Sequence, residues 1–245
     1  MILAVTAFLT ACGGGGYRTE QHLLGNHQVD RNRDMPYLLW LPEDFDDARA
    51  YPMIVSLHGA GPGEYTPEFV MQQGLPAVLA QNDQPAGFDF VVLAPQALDG
   101  VDWWSTGQPE EVNEIVDDII AELSIDPDRV YLTGFGTGGQ GAWHLATRYP
   151  DRYAAVVSVA GSGFGSSAAV SEASCGLSSV PIWSLHGEND LIAVHDIIRA
   201  EVSEWEGLCG GEVRWTTLPG IGHYESFALV YRDPEIYEWL EEQTS

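Results

Sequence analysis

The strongest constraint on this chain is a set of short apolar runs that show no polar–apolar alternation and end in glycine or proline. "YPMIVSLHG" (51–59), "FDFVVLAP" (88–95), "RVYLTG" (129–134), "YAAVVSVAG" (153–161) and "VPIWSLHG" (180–187) are of this kind. A strand with one solvated face alternates with period two, but a strand buried on both faces has no need to. These runs therefore predict strands inside a sheet covered on both sides. "MPYLLWLP" (35–42) and "EVRWTTLPG" (212–220) read as further strands. Segments of helical period lie between them. In "PEEVNEIVDDIIAEL" (109–123), Val112, Ile115, Val116, Ile119, Ile120 and Leu123 share one face, the opposite face is acidic, and Pro109 followed by two glutamates suits a first turn. Helices are predicted likewise over 66–81, 137–150, 195–207 and 233–242. Strands alternating with helices form a mostly parallel sheet, here of about eight strands, with helices on both faces: an α/β fold. No apolar run reaches the ~20 residues a membrane-spanning helix needs. An apolar content of 45% in 245 residues suits one sizeable core.

Ligands on such sheets sit at the carboxyl ends of the strands, so the residues just after each strand are where chemistry is to be sought. "GFGTGG" (134–139) is one such place. As G-x-G-x-x-G it would be a dinucleotide-binding turn. That reading needs the first strand–helix unit and an acidic residue about 20 positions on to hold a ribose. Here several strands come first, and the next strand ends in Val159-Ala160-Gly161-Ser162. The other reading is a nucleophile elbow with a glycine at its tip. Such an elbow is accompanied by an oxyanion loop after an earlier strand, then an acid and a histidine in chain order, each after its own strand. "HGAG" (58–61), "HGEND" (186–190) ending in Asp190, and "PGIGH" (219–223) ending in His223 meet those demands.

With these stretches in hand, the chain resembles the α/β-hydrolase-fold serine esterases, in the group of carboxylesterase/phospholipase-like, feruloyl-esterase-like and polyhydroxybutyrate-depolymerase-like proteins. The resemblance runs from about residue 30 to 242 through "IVSLHGAG", "VVLAPQ" with a following Trp, "RVYLTGFGTGGQGAWHLATRYPDRYAAVVSVAG", "PIWSLHGENDLIAV", "LPGIGHYESF" and "YRDPEIYEWL". It implies an α/β-hydrolase fold, no cofactor, and a catalytic set in which His223 is the base and Asp190 its orienter. The backbone N–H groups of Ala60 and Thr137 would form the oxyanion hole. The chain departs from the family at the decisive position: where the family has serine, it has Gly136. Thr137 is not a displaced nucleophile, because its side chain would point away from the cleft.

Other residues have blander readings beside them. Glu188 and Asn189 are alternatives to Asp190. His58, His144 and His186 suit packing or hydrogen bonding better than chemistry. Trp103 and Trp104 in "DWWSTG" (102–107) are candidate substrate-binding platforms for a sugar ring or an aromatic acyl group, or else packed side chains. Ser105 is a loop hydroxyl with nothing to place it on an elbow. No His/Cys/Asp spacing argues for a metal.

Charge bounds the partners. There are 36 acidic and 10 basic residues, a net charge of −26, which argues against nucleic acid and anionic membrane surfaces. In "MILAVTAFLTACGGGGYRTE" an apolar run leads to Leu9-Thr10-Ala11-Cys12, which resembles a bacterial lipobox, although no Lys or Arg precedes the run. The expectation is a signal peptide over 1–11, a lipidated Cys12 with a glycine-rich tether over 12–20, and a single domain over 21–245. That implies an exported lipoprotein anchored to a membrane in the periplasm or at the cell surface, otherwise secreted. In such a compartment Cys175 and Cys209 are expected to form one disulfide. Three functional readings stand at this level: an esterase lineage with weak or absent acyl-enzyme chemistry, in which a water replaces the serine hydroxyl; an ordinary esterase whose serine has been replaced; and a non-catalytic protein that uses the cleft to hold an ester or carbohydrate ligand.

Overall fold

The computed structural model describes residues 22–30, 33–61, 66–97, 101–105, 107–161, 163–164 and 170–245, with residues 22–34 as backbone only. The signal peptide, Cys12 and the tether expected above lie outside the described residues. Among the described residues, eight strands form one sheet: β1 (His22–Asp30), β2 (Arg33–Trp40), β3 (Tyr51–Leu57), β4 (Val91–Pro95), β5 (Ile125–Phe135), β6 (Ala155–Val159), β7 (Ile182–Gly187) and β8 (Val213–Leu218). Their order is β1-β2-β4-β3-β5-β6-β7-β8. β1 and β2 pair antiparallel, as do β2 and β4; every neighbouring pair from β4 to β8 is parallel. This is the α/β-hydrolase fold expected from the sequence.

Burial explains the missing alternation. Every residue of β3, β4, β6 and β7 is buried, whereas the edge strand β8 is partly exposed along most of its length. One face of the sheet is covered by α3 (Gln108–Glu122), α4 (Thr137–Arg148) and α5 (His195–Cys209), which contribute Val112, Ile115, Val116, Ile119, Trp143 and Trp205 to one core. The other face is covered by α1 (Pro67–Val70), α2 (Gly74–Ala80), α6 (His223–Val230) and α7 (Pro234–Glu241), which contribute Leu75, Val78, Val230, Ile236 and Leu240 to a second core. Each fully buried aliphatic side chain stabilises the fold by about 1.5–3 kcal/mol.

Several boundaries differ from the sequence expectation. The helix expected over 66–81 is two helices, because Gln73 is extended and Gly74 has φ +59°. β4 starts at Val91 rather than at 88, and β5 starts at Ile125 rather than at 129. β1, a 3-10 helix over Glu172–Ser179 and α6 were not anticipated. Cys175, in that 3-10 helix, is bonded to Cys209 at the end of α5, with Cα atoms 4.9 Å apart. The bridge ties the end of α5 to the segment that leads into β7.

Candidate active site

The carboxyl ends of β3, β5, β7 and β8 bring the candidate residues together. β5 ends at Phe135 and α4 begins at Thr137, so Gly136 alone makes the turn between them, with φ +56° and ψ −120°. Its N–H donates to the Val159 carbonyl at 3.0 Å and its carbonyl accepts the Gln140 N–H at 3.2 Å. The first turn of α4 sits hard against the end of β3: a Cβ on Gly138 would lie 2.0 Å from the Leu57 carbonyl oxygen, so only glycine permits this approach. That contact carries the 58–61 loop to the side of the elbow.

The loop is held by His58, whose Nδ1–H donates to the Gly59 carbonyl at 2.9 Å while Nε2 accepts the Ala97 N–H at 3.0 Å. These two bonds fix a neutral tautomer, and burial pushes the His58 pKa down to about 4. Trp103 donates its indole N–H to the His58 carbonyl at 2.9 Å and is only 4% exposed. Trp103 is therefore a brace for the 58–61 loop and does not line the cleft, contrary to its assignment above as a binding platform. Trp104 does line the cleft. Ser105 is absent from its described lining.

His223 is the first residue of α6, not a residue of a loop. Gly220 and Gly222 turn the chain away from β8, and helix formation then fixes the imidazole. Its Nδ1–H donates to Asp190 Oδ2 at 2.7 Å, which leaves Nε2 with its lone pair directed at the elbow. A Cβ on residue 136 would lie 3.3 Å from that Nε2. Phe135 supports the ring from beneath at 4.9 Å between centroids. Asp190 is 2% exposed, and Oδ1 accepts the N–H groups of Ile192 and Ala193, both at 2.9 Å. A buried carboxylate bonded in this way is suited to orient a histidine and to balance its charged form. Glu188 points elsewhere, accepting the Gly220 N–H at 2.9 Å.

Two further features shape the site; the first, the structural role of His186, was expected from the sequence, and the other was not. His186 is fully buried and donates Nε2–H to the Ala193 carbonyl at 2.6 Å, which pins the loop that carries Asp190. Burial lowers its pKa, so it is a neutral strut. The second is an apolar lip. Leu191, Ile192 and Ile197 are 88%, 62% and 61% exposed. Ile192, Val194, Ile197 and Ile198 line one side of the cleft with Tyr224, and Gly59, Ala60, Gly136, Thr137 and His223 form its floor. The cleft has a volume of about 460 Å³, within the range of small-molecule sites. The run "LIAV" after Asp190 was the sequence signal for the lip. Among the described residues, no group of three or more His, Cys, Asp or Glu is placed to hold a metal ion.

A profile of the phospholipase/carboxylesterase family matches residues 67–229. A bifunctional acetylxylan esterase/xylanase of Neocallimastix patriciarum is 31% identical over 143 residues, which is 57% of this chain and 19% of that protein. The chain spans less than half the length of the curated relatives it matches. Among solved structures, a thermostable esterase superposes with a TM-score of 0.71 at 26% identity, over 92% of this chain and 64% of that one. A ferulic acid esterase of Anaeromyces mucronatus in complex with ferulic acid gives a TM-score of 0.67 at 15% identity, over 96% and 93% of the two chains, a likeness of fold.

Proposed function

The chain belongs to the phospholipase/carboxylesterase family, and from that premise we propose that it binds a carboxylic ester in the cleft at Gly136 and hydrolyses it slowly with a water in place of a serine hydroxyl. The supporting observation is the pair His223–Asp190, bonded at 2.7 Å, with Nε2 facing the position a residue-136 side chain would occupy. Gly136 itself offers no oxygen, so no acyl-enzyme forms there. His223 Nε2 takes a proton from water, and the oxygen adds to the ester carbonyl. The N–H groups of Ala60 and Thr137 hold the resulting oxyanion. The C–O bond to the alcohol then breaks, and the alcohol leaves with the proton from Nε2. In serine proteases the oxyanion hole and binding alone retain about 10³–10⁴ over uncatalysed hydrolysis when the nucleophile is lost, and turnover by a His223-activated water would add to that floor.

The apolar lip at Ile192–Ile198 suits the acyl half of the substrate. The names of the similar proteins, an acetylxylan esterase and a ferulic acid esterase, favour acetyl or hydroxycinnamoyl esters of plant-wall glycans. Lipidation of Cys12 would place the protein, exported, at a membrane surface facing such material.

The test is turnover of 4-nitrophenyl acetate by the protein and by His223→Ala, together with pre-steady-state kinetics. The proposal expects slow turnover without a burst, no labelling by a serine-directed phosphonate, and loss of turnover in His223→Ala. Gly136 also favours a second reading, binding without turnover. Equal rates in the two proteins with ester analogues still bound would establish that reading instead.

A further inference from the structure

The stripe Gln140, His144 and Arg148 runs along one face of α4, at spacings of i, i+4 and i+8. Eight residues of helix span about 12 Å. Gln140 lines the cleft at the elbow end. His144 and Arg148 line a second, open hollow of about 290 Å³, bordered also by Pro109, Thr147 and Ala173. Trp104 borders both spaces and forms the wall between them. Its ring stacks on His144, with centroids 5.3 Å apart and planes 29° apart. His144 is braced in turn by Phe164, through a ring contact at 5.6 Å and Nε2 at 3.4 Å from its carbonyl. Burial keeps His144 neutral. Arg148 is largely exposed at the outer rim and paired with Glu110 of α3.

We propose that this outer hollow is a subsite for a sugar residue belonging to the alcohol half of the ester, reached over Trp104 from the cleft. A sugar ring has a C–H face and a girdle of hydroxyls. The C–H face suits the Trp104 side of the hollow; the hydroxyls can accept from the Arg148 guanidinium and donate to the Thr147 hydroxyl, both of which line it. A free anion is a poorer match, because the positive charge of Arg148 is already met by Glu110. An aliphatic chain is a poorer match than at the Ile192–Ile198 side, because the hollow ends in polar groups. The two spaces then divide the ester, acyl half against the apolar lip and glycan half against α4. The division rests on the functional reading above, which puts the carbonyl at Gly136.

The experiment uses unesterified xylotetraose and maltotetraose titrated into the protein, with calorimetry and tryptophan fluorescence as readouts. At least one should bind. Trp104→Ala and Arg148→Ala should each weaken binding by about tenfold, the scale of one lost contact in a recognition pocket, while Trp104→Phe recovers part of it. The ratio of kcat/KM for an acetylated oligosaccharide over 4-nitrophenyl acetate should fall through KM in the same two variants, whose folding is checked by thermal melting. Oligosaccharide binding needs no turnover, so the two readings fail separately. Binding without ester hydrolysis overturns the catalytic reading alone. Hydrolysis of the aryl ester with no oligosaccharide bound, or binding unmoved in both alanine variants, overturns the subsite.

Discussion

On the proposed function, Gly136→Ser should raise the rate of ester hydrolysis. A Cβ on residue 136 would lie 3.3 Å from His223 Nε2, 3.7 Å from Cε1 and 4.0 Å from the Gly59 Cα. The first distance is tighter than an ordinary contact, so the imidazole must retreat by a few tenths of an ångström. It can, because Nε2 is the far end of a ring that pivots on its 2.7 Å bond to Asp190. The new hydroxyl then enters within hydrogen-bond reach of the base. Loss of the nucleophile costs about 10⁶ in turnover in a serine protease. A graft that recovers only part of that geometry should give about 10² or more. The assay is 4-nitrophenyl acetate turnover with a pre-steady-state burst and phosphonate labelling at residue 136. Gly136→Ala is the control for a side chain without a hydroxyl. Gly136→Ser/His223→Ala and Gly136→Ser/Asp190→Asn test the base and its orienter, and both should lose the gain. A folded Gly136→Ser protein no faster than Gly136→Ala would refute the elbow assignment. A gain that survives His223→Ala would refute the base.

Three further outcomes are expected. Cys175–Cys209 closes a loop with a sequence separation of 34; removing it by Cys→Ser at both positions should cost about 2–4 kcal/mol and lower the Tm by roughly 5–15 °C, with esterase rate as the check that the cleft survives. His58 titrates near 4 when folded, against about 6.5 unfolded, so the unfolded chain binds more protons between these values and stability falls as pH drops through that window. Urea unfolding at pH 7 and pH 5 should show about 2 kcal/mol of this loss in the parent and none of it in His58→Gln, and equal losses would refute the assignment. Cys12 should be the acylated mature N-terminus in protein from a bacterial host with lipoprotein processing, read by mass spectrometry; an intact Met1 or another cleavage point would overturn it.

The interior of the fold was legible because burial on both faces leaves a mark in the sequence. β3, β4, β6 and β7 are apolar runs, and all of their residues are buried. β1 was illegible for the converse reason: "HLLGNHQVD" has neither a run nor an alternation, and its pairing with β2 comes from tertiary context. The positions of Asp190 and His223 could be read because each closes a short glycine-containing turn after a strand. The helix that begins at His223 could not, since "HYESFALV" is short and lacks a capping side chain. The split between Trp103 and Trp104 depended on a contact far away in sequence. Gly141 lets α4 approach until a Cβ there would lie 2.5 Å from Trp103 Cβ, and this close approach buries one tryptophan while its neighbour faces the cleft.

The elbow's shape and its chemistry separate at Gly136. The turn is fixed without a side chain at residue 136, by the seating of Gly138 on the Leu57 carbonyl and by the main-chain bonds of Gly136 to Val159 and Gln140. At φ +56° a glycine sits there without strain, whereas any L side chain costs about 1–3 kcal/mol. A serine at this point would therefore cost stability that the turn does not require, and on the proposed function it would return in rate what it costs in strain. Stability and hydrolysis consequently have opposite signs at this one position. Gly136→Ser and Gly136→Ala should lose similar stability, about 2–12 °C in Tm for a chain of this size, and only the serine should gain rate. At an ordinary strand-to-helix turn the two variants would lose stability alike and share the same rate, so the contrast between them distinguishes a nucleophile elbow from a turn that merely contains glycine.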